Sequence, residues 1–464
     1  VFVVLFGAIA TQVSGVPTQI HAVPDDKKGP IAAQVHPMRG MMNGLSRLNN
    51  ATLAGRAIFP SGGIRGVNLG AWLLFEPYTS SERIYVARWH DMGGDWLCGD
   101  CTTCVNDEFS LTRKLGQTQA NSAFDDVNLI KSYGLNSVRI PVGFWIIEST
   151  VNSDEFYPRG GLNQLRRGCA MLRNAGISVL IDLHGAPGAQ VARNAFAGRC
   201  VANAGFWTQA NFNRMNAAAA ELTRVIHNEP ANFGSVWGLQ ALNEPPTNGN
   251  ETPGYYQFMQ GFVSAVRGVE NSLGVTEANR VSTVFMDISW QWQNNAGNPA
   301  YVQNGGNAYD SHLYCKSIPS CYSRKSTHAL STDSFGAPCG NWGCVTANQD
   351  SHVAFACQGG GGRISNDANQ YNTPSFLGEW WLLPLSGTFG NFDQAAVRRF
   401  GDAQKRGYSP EGGQGGFGWY FWSWKMTNSD ADGTNHMRST KTLLRKAVDL
   451  PSNAASYYNS AVCG

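Results

Sequence analysis

From Gly63 onward, short apolar runs alternate with stretches in which apolar residues return every three or four positions. The short runs read as strands and the periodic stretches as amphipathic helices. Ile64–Gly70 opens the series, and Asn121–Gly134 follows as a helix with Phe124, Val127 and Ile130 at helical spacing. Asn136–Pro141 and Ile177–His184 are strand-like and flank a helix over Leu162–Ala175. An Ala-rich helix over Ala210–His227 leads to a strand at Val236–Leu242, and a helix at Tyr255–Val269 leads to one at Arg280–Asp287. Tyr309–Leu313 and Ser375–Glu379 are two more strands, before a helix at Asp393–Arg406 and an aromatic strand at Gly416–Trp424. Strands centred near residues 66, 138, 180, 239, 284, 311, 377 and 420 make eight. Near-continuous apolar strands alternating with helices imply a parallel sheet covered on both faces. Eight of them imply a (β/α)8 TIM barrel. A doubly wound open sheet fits less well, because Gly66-Val-Asn-Leu-Gly70 lacks the spacing of a dinucleotide-binding turn.

The polar residues that close these runs are where chemistry is expected, at the carboxyl end of a parallel barrel. They are Asn68 then Glu76, Arg139, Asp182 and His184, Asn243 and Glu244, Asp287, His312 and Tyr314, Glu379, and Trp422. Some admit a purely structural reading: Arg139 and Asp182 as a buried pair, His184 as a satisfied core histidine. That reading handles their convergence poorly, since charged side chains are rarely buried unless paired.

Two glutamates stand out. The run ending in Leu242-Asn-Glu244-Pro-Pro and the run ending in Leu377-Gly-Glu379-Trp-Trp each deliver one carboxylate at the end of its own strand. A glycosidase that retains configuration needs two carboxyls about 5–5.5 Å apart, one to protonate the leaving oxygen and one to attack the anomeric carbon. Strands four and seven would face each other across the barrel mouth. Asn243 could donate to a sugar 2-hydroxyl. Arg139 and Tyr314 would hold Glu379 ionised, and its charge would raise the pKa of Glu244.

Composition narrows the alternatives. A net charge of +2 with only 15% charged residues leaves no basic stripe for nucleic acid. Trp 14, Tyr 15 and Phe 23 suit a ligand with apolar faces and a polar rim, as a sugar ring has, although aromatics also fill ordinary cores. Val1–Ala10 resembles the apolar region of a secretory signal without its basic start, and no later segment is apolar enough to span a bilayer. The expected organisation is a partial signal peptide over 1–22, a leader over 23–58 and one catalytic barrel over 59–464, interrupted by cysteine-rich loops. Two sequons, at Asn50 and Asn250, and eleven cysteines agree with a secreted chain. Cys98, Cys101 and Cys104 are spaced as a metal site could be, yet behind a signal peptide they read as disulfides. Cys315/Cys321 and Cys339/Cys344/Cys357, in another loop-like stretch, are expected to be stapled too, with Cys169 free and buried on a helix.

The motifs Arg139-Ile-Pro, Asp182-Leu-His184-Gly-Ala-Pro-Gly, Leu242-Asn243-Glu244-Pro, His312-Leu-Tyr314, Gly378-Glu379-Trp and Trp419-Tyr-Phe-Trp422-Ser-Trp-Lys resemble those of fungal β-glucanases of glycoside hydrolase family 5. The resemblance spans roughly residues 64–426, with the blocks in the expected order. It implies Glu244 as acid/base and Glu379 as nucleophile. Arg139, His184, Asn243, His312, Tyr314 and Trp422, with Glu76, would bind the sugar. Gly66-Val-Asn-Leu-Gly and Phe421-Trp-Ser-Trp-Lys are shared with exo-β-1,3-glucanases, whereas Phe109–Gln117, Phe156-Tyr-Pro-Arg-Gly-Gly-Leu and Gly185–Gln190 followed by Phe196-Ala-Gly are closer to endo-β-1,6-glucanases. The resemblance therefore implies a secreted, monomeric hydrolase of β-glucan, endo-β-1,6 before exo-β-1,3, needing no cofactor or metal and binding neither nucleic acid nor membrane. A catalytically idle glucan-binding protein on the same fold is the non-enzymatic alternative. A metal hydrolase built on Asp182, His184 and His312 lacks any recognised ligand spacing.

Overall fold

The computed structural model describes residues 62–70, 72–74, 127–155, 157, 159–192, 194–199, 201–246, 249–286, 307–313, 349–360, 364, 374–381, 394–410, 416–424 and 460–463. The signal-like run, the leader, Glu76, the Cys98–Cys104 cluster, Asp287 and Tyr314 lie outside the described residues.

Eight parallel strands close in chain order: β1 (Ile64–Asn68), β2 (Ser137–Gly143), β3 (Ser178–Gly185), β4 (Val236–Gln240), β5 (Ser282–Met286), β6 (Asn307–His312), β7 (Ser375–Trp380) and β8 (Gly416–Phe421). β8 returns to β1 through Ile64↔Gly418 to Val67↔Phe421, so no edge remains. Each expected strand centre falls within one of them, and the fold is the (β/α)8 barrel. Both faces of the strands are covered, which is why most of them read as near-continuous apolar runs.

The outer layer is helical: α1 (Val127–Ser132), α2 (Gly161–Asn174), α3 (Gln209–Asn228), α4 (Pro230–Phe233), α5 (Tyr255–Ser272), α6 (Gln349–Cys357) and α7 (Gln394–Tyr408). On α3, Phe212, Met215, Ala219, Leu222 and Ile226 form one buried stripe at helical period. The Thr208 side chain caps its first turn by accepting from the Asn211 amide. Cys169 is a free thiol buried on α2, as expected. Cys357 is disulfide-bonded, as expected: it sits at the end of α6, a helix within a stretch read as loop, and bonds to Cys463 in the turn Ser460–Cys463. Packing of α6 and this turn against α7 brings the two Cα atoms to 5.5 Å, a proximity no local spacing reveals.

Inside the barrel, the amino-terminal portion is apolar, built by Ile64, Leu180, Trp237, Val284, Ala308, Phe376, Phe417 and Tyr420. Tyr420 reaches across this floor because Gly66 has no side chain: a Cβ there would lie 2.2 Å from the ring. The Tyr420 hydroxyl pairs with Ser137 Oγ at 2.7 Å and accepts from the Trp237 indole at 3.1 Å, so its burial leaves no polar debt. Further along the same strands the interior turns polar, and the site begins there.

Candidate active site

Immediately above the floor, Asn68, Arg139, Asp182, Gln240 and Asp310 form a fully buried polar layer. Arg139 is its centre. Its Nε donates to Gln240 Oε1, one terminal nitrogen to Asn68 Oδ1 and Glu379 Oε1, and the other to Asn243 Oδ1, each at 2.9 Å. The second terminal nitrogen also lies 2.9 Å from Asp182 Oδ2, and Nε lies 3.7 Å from Asp310 Oδ2. Burial opposes the charge on Arg139, but Asp182, Glu379 and Asp310 outweigh it and raise the guanidinium pKa further. A planar fork with five donors is the side chain that can serve so many acceptors at once. Asn68 ties the layer to the wall by donating to the carbonyls of Gly378 and Phe421 at 2.8 and 3.2 Å.

Two histidines stand above this layer. His184 Nδ1 lies 2.6 Å from Asp182 Oδ2, and its Nε2 lies 3.2 Å from Asn243 Nδ2. Arg139 occupies Asn243 Oδ1, so the amide nitrogen faces His184 and donates to it. His184 thus faces an amide donor through Nε2 and a carboxylate through Nδ1. Trp422 lies nearly parallel to it, 6.0 Å between centroids, with Phe196 edge-on at 5.8 Å. Gln190, fully buried, clamps this side by donating to the carbonyls of His184 and Asn243 at 2.7 and 3.0 Å.

His312 is surrounded differently. Its Nδ1 lies 2.7 Å from Glu244 Oε1 and 3.6 Å from Glu379 Oε2, and its Nε2 lies 3.2 Å from Asp310 Oδ2. Burial would lower its pKa, but the carboxylates of Glu379 and Asp310 raise it to about 10, with Glu244 adding to the rise. His312 is a cation among carboxylates.

The two glutamates meet as their strand positions require. One carboxylate oxygen from each of Glu244 and Glu379 and one His312 ring nitrogen all lie within 4.8 Å of one another. Such a trio could hold a metal ion, but the imidazolium already supplies the compensating positive charge. Glu379 lies within β7, whereas Glu244 stands beyond the last ladder residue of β4, with φ +35°. The apolar run Val236–Leu242 thus overstates the strand: after the Ala241 amide donates to Val284 the chain leaves the sheet and turns Glu244 into the mouth. Burial raises the Glu379 carboxyl above the ordinary carboxylate range, against the pull of His312 and Arg139, and Glu244 adds to the rise. The rise on Glu379 follows from its depth in the barrel.

Of the nine residues singled out from sequence, Arg139, His184, Asn243, Glu244, His312, Glu379 and Trp422 converge on this mouth, while Glu76 and Tyr314 lie outside the described residues. Gln240 and Asp310 were missed. Gln240 donates to Asp310 Oδ2 at 2.9 Å, and the Gly378 amide donates to Asp310 Oδ1 at 2.6 Å. Asp310 fits only because residue 378 is glycine, since a Cβ there would lie 2.1 Å from both carboxylate oxygens. The available signal was Asp310 standing two residues before His312, on the same face of β6.

Comparison with known proteins agrees with this arrangement. Residues 108–426 match the model of the cellulase family, glycosyl hydrolase family 5. The chain is 31% identical over 393 residues to an Aspergillus fumigatus protein named "Probable glucan endo-1,6-beta-glucosidase B", covering 80% of this chain and 84% of that one. It is 28% identical over 403 residues to the glucan 1,3-beta-glucosidase of Candida oleophila, covering 79% and 85%. Among solved structures, the rutinosidase of Aspergillus niger shares the fold, with a TM-score of 0.54 at 16% identity over 81% of this chain and 93% of that one. The chain belongs to glycosyl hydrolase family 5.

Proposed function

We propose that this protein is a secreted, retaining endo-β-1,6-glucanase in which Glu244 is the acid/base and Glu379 the nucleophile. The observation that carries the reading is the carboxylate pair, with oxygens within 4.8 Å of each other. So close an approach of one oxygen from each group supports a retaining pair, at about 5–5.5 Å, over an inverting pair, at about 6.5–9.5 Å. Glu379 attacks the anomeric carbon while Glu244 gives its proton to the leaving oxygen. The glycosidic bond breaks and a glycosyl ester forms on Glu379. Water then gives a proton back to Glu244, attacks the same carbon and frees Glu379. Arg139, at 2.9 Å from Glu379, opposes the rise that burial imposes on this carboxyl and fixes the oxygen that does not attack. Asn243, His184 and Trp422 form the adjoining wall where the sugar is held, and Tyr314 and Glu76 are assigned to the same subsite by motif alone.

The β-1,6 linkage rests on the Gly185–Gln190 and Phe196-Ala-Gly motifs and on the greater identity to the Aspergillus fumigatus relative. Gln190 and Phe196 both border His184, so the motif that separates the two classes lies at the site itself. Secretion is supported by the apolar run at Val1–Ala10 and by the Cys357–Cys463 bond, which persists in an oxidising compartment.

The test is hydrolysis of β-1,6-glucan and of laminarin, with the first-formed anomer read by NMR. The expected result is β-anomer release from β-1,6-glucan, with kcat lowered by about 10⁴-fold or more in Glu379→Ala. Activity on laminarin alone would move the protein to the β-1,3 class, and no activity on either would overturn the assignment.

A further inference from the structure

Asp310 touches neither glutamate, yet every polar contact it makes bears on the charge of His312. Its Oδ1 accepts the Gly378 amide, and its Oδ2 accepts from Gln240 and lies 3.2 Å from His312 Nε2, with Arg139 Nε at 3.7 Å. The opposite nitrogen of the ring faces Glu244 at 2.7 Å and Glu379 at 3.6 Å. Among the described residues, the charged groups facing His312 include Asp310 on its own strand, Glu244 after β4, Glu379 on β7 and, behind Asp310, Arg139 on β2. We propose that Asp310 is a positioning residue that keeps both protons on His312, so that its Nδ1–H serves whichever glutamate carries the negative charge.

This inference rests on the roles proposed above for the two glutamates. Before attack the charge is on Glu379. As the ester forms and the proton leaves Glu244, Glu379 becomes neutral and Glu244 becomes the carboxylate. The second half-reaction reverses this. A fixed N–H within reach of both oxygens stabilises the charge at either end without itself gaining or losing a proton. An imidazole can do so only if Nε2 keeps its own hydrogen, and an ionised Asp310 makes that form favourable. Asp310 cannot turn away, because the Gly378 amide holds one oxygen and Gln240, itself fixed by Arg139, holds the other.

The experiment is Asp310→Asn, read in two ways. Whichever way the new amide turns, His312 loses the carboxylate charge that favours its second proton. With the histidines labelled and the resonance assigned by its absence in His312→Gln, NMR should show His312 doubly protonated from pH 5 to 8 in the wild type and deprotonating within that range in Asp310→Asn. A cation lowers the pKa of both glutamates, so its loss raises both. The acid and alkaline limbs of kcat/KM should therefore both move upward by about one pH unit or more, with kcat down about 10–100-fold. A fall in kcat with both limbs unmoved would mean a merely structural role and overturn the proposal. So would a wild-type His312 carrying a single proton at pH 6, a measurement that stands even if the variant does not fold. Wild-type rates in Glu244→Ala and Glu379→Ala would instead overturn the assignment of the glutamates, and they leave the His312 titration a separate question.

Discussion

β3 and β6 stand three strands apart in the barrel, and each carries an aspartate two residues before a histidine: Asp182 and His184, Asp310 and His312. In both pairs the aspartate lies in the buried layer beside Arg139 and the histidine rises above it toward the mouth. The same local pattern meets different partners. The second nitrogen of His184 faces an amide donor from Asn243. The second nitrogen of His312 meets the Glu244 carboxylate and the ring is charged. What distinguishes the two buried histidines is thus the partner opposite the aspartate. That partner comes from a different segment of chain, the residues following β4, which supply Asn243 to one ring and Glu244 to the other.

The largest expected effect tests this asymmetry directly. His312→Ala removes a cation from between the glutamates and should lower kcat by about 10²–10³-fold, the range for loss of one preorganised charge-stabilising donor. His184→Ala removes a ring that contacts Asp182, Asn243 and the Trp422 face, so it should act mainly on KM, with kcat lowered by no more than about tenfold. Steady-state kinetics on a defined β-1,6-glucan oligosaccharide separates the two. Equal losses in kcat would mean that the difference in partners has no catalytic consequence.

A smaller effect should appear in stability. The folded pKa of His312 is raised from the ordinary histidine value to about 10. Its protonation therefore favours the folded state, a contribution fully present below about pH 6.5 and lost as pH rises through about 10. Between pH 7 and 9, urea unfolding should show stability falling with pH at up to about 1.4 kcal/mol per unit. His312→Gln should remove this slope and His184→Gln should leave it in place. A wild-type slope that survives His312→Gln would place the titrating group elsewhere.

The comparison also shows what sequence alone can carry. Most of the eight strands were legible because strands buried on both faces are largely apolar, and Glu244 and Glu379 because each closes such a run beside aromatic or proline residues. His184, His312 and Arg139 were legible as polar residues at the same end of successive strands. Gln240 and Asp310 were not, since a single polar residue inside a strand means little until closure brings Arg139 within 2.9 and 3.7 Å of them. The end of β4 was misplaced for a related reason: Ala241 and Leu242 are apolar and buried, as strand residues would be, while the backbone around them is already turning. The pairing of Cys357 with Cys463 depends on the docking of α6, for which the local sequence carries no signal.

The smallest expected effect concerns that turn. Glu244 has φ +35°, in the left-handed region, and Ala189, on the His184 side, has φ +60°. Such a backbone costs a residue with a Cβ roughly 1–3 kcal/mol. The turn persists because Gln190 holds the Asn243 carbonyl and His312 holds the Glu244 carboxylate. Comparing Glu244→Gly with Glu244→Ala isolates the backbone term, since both lose the carboxylate and only one keeps a Cβ. The glycine variant should be the more stable by about 1 kcal/mol after its greater unfolded-state entropy is set against the relief. Ala189→Gly should shift stability in the same direction by a similar or smaller amount, without touching an ionisable group. Both are read from urea midpoints at constant m-value. If the alanine variant at 244 proves the more stable, the left-handed turn stores no strain, and Glu244 is held in the mouth by its carboxylate contact with His312 alone.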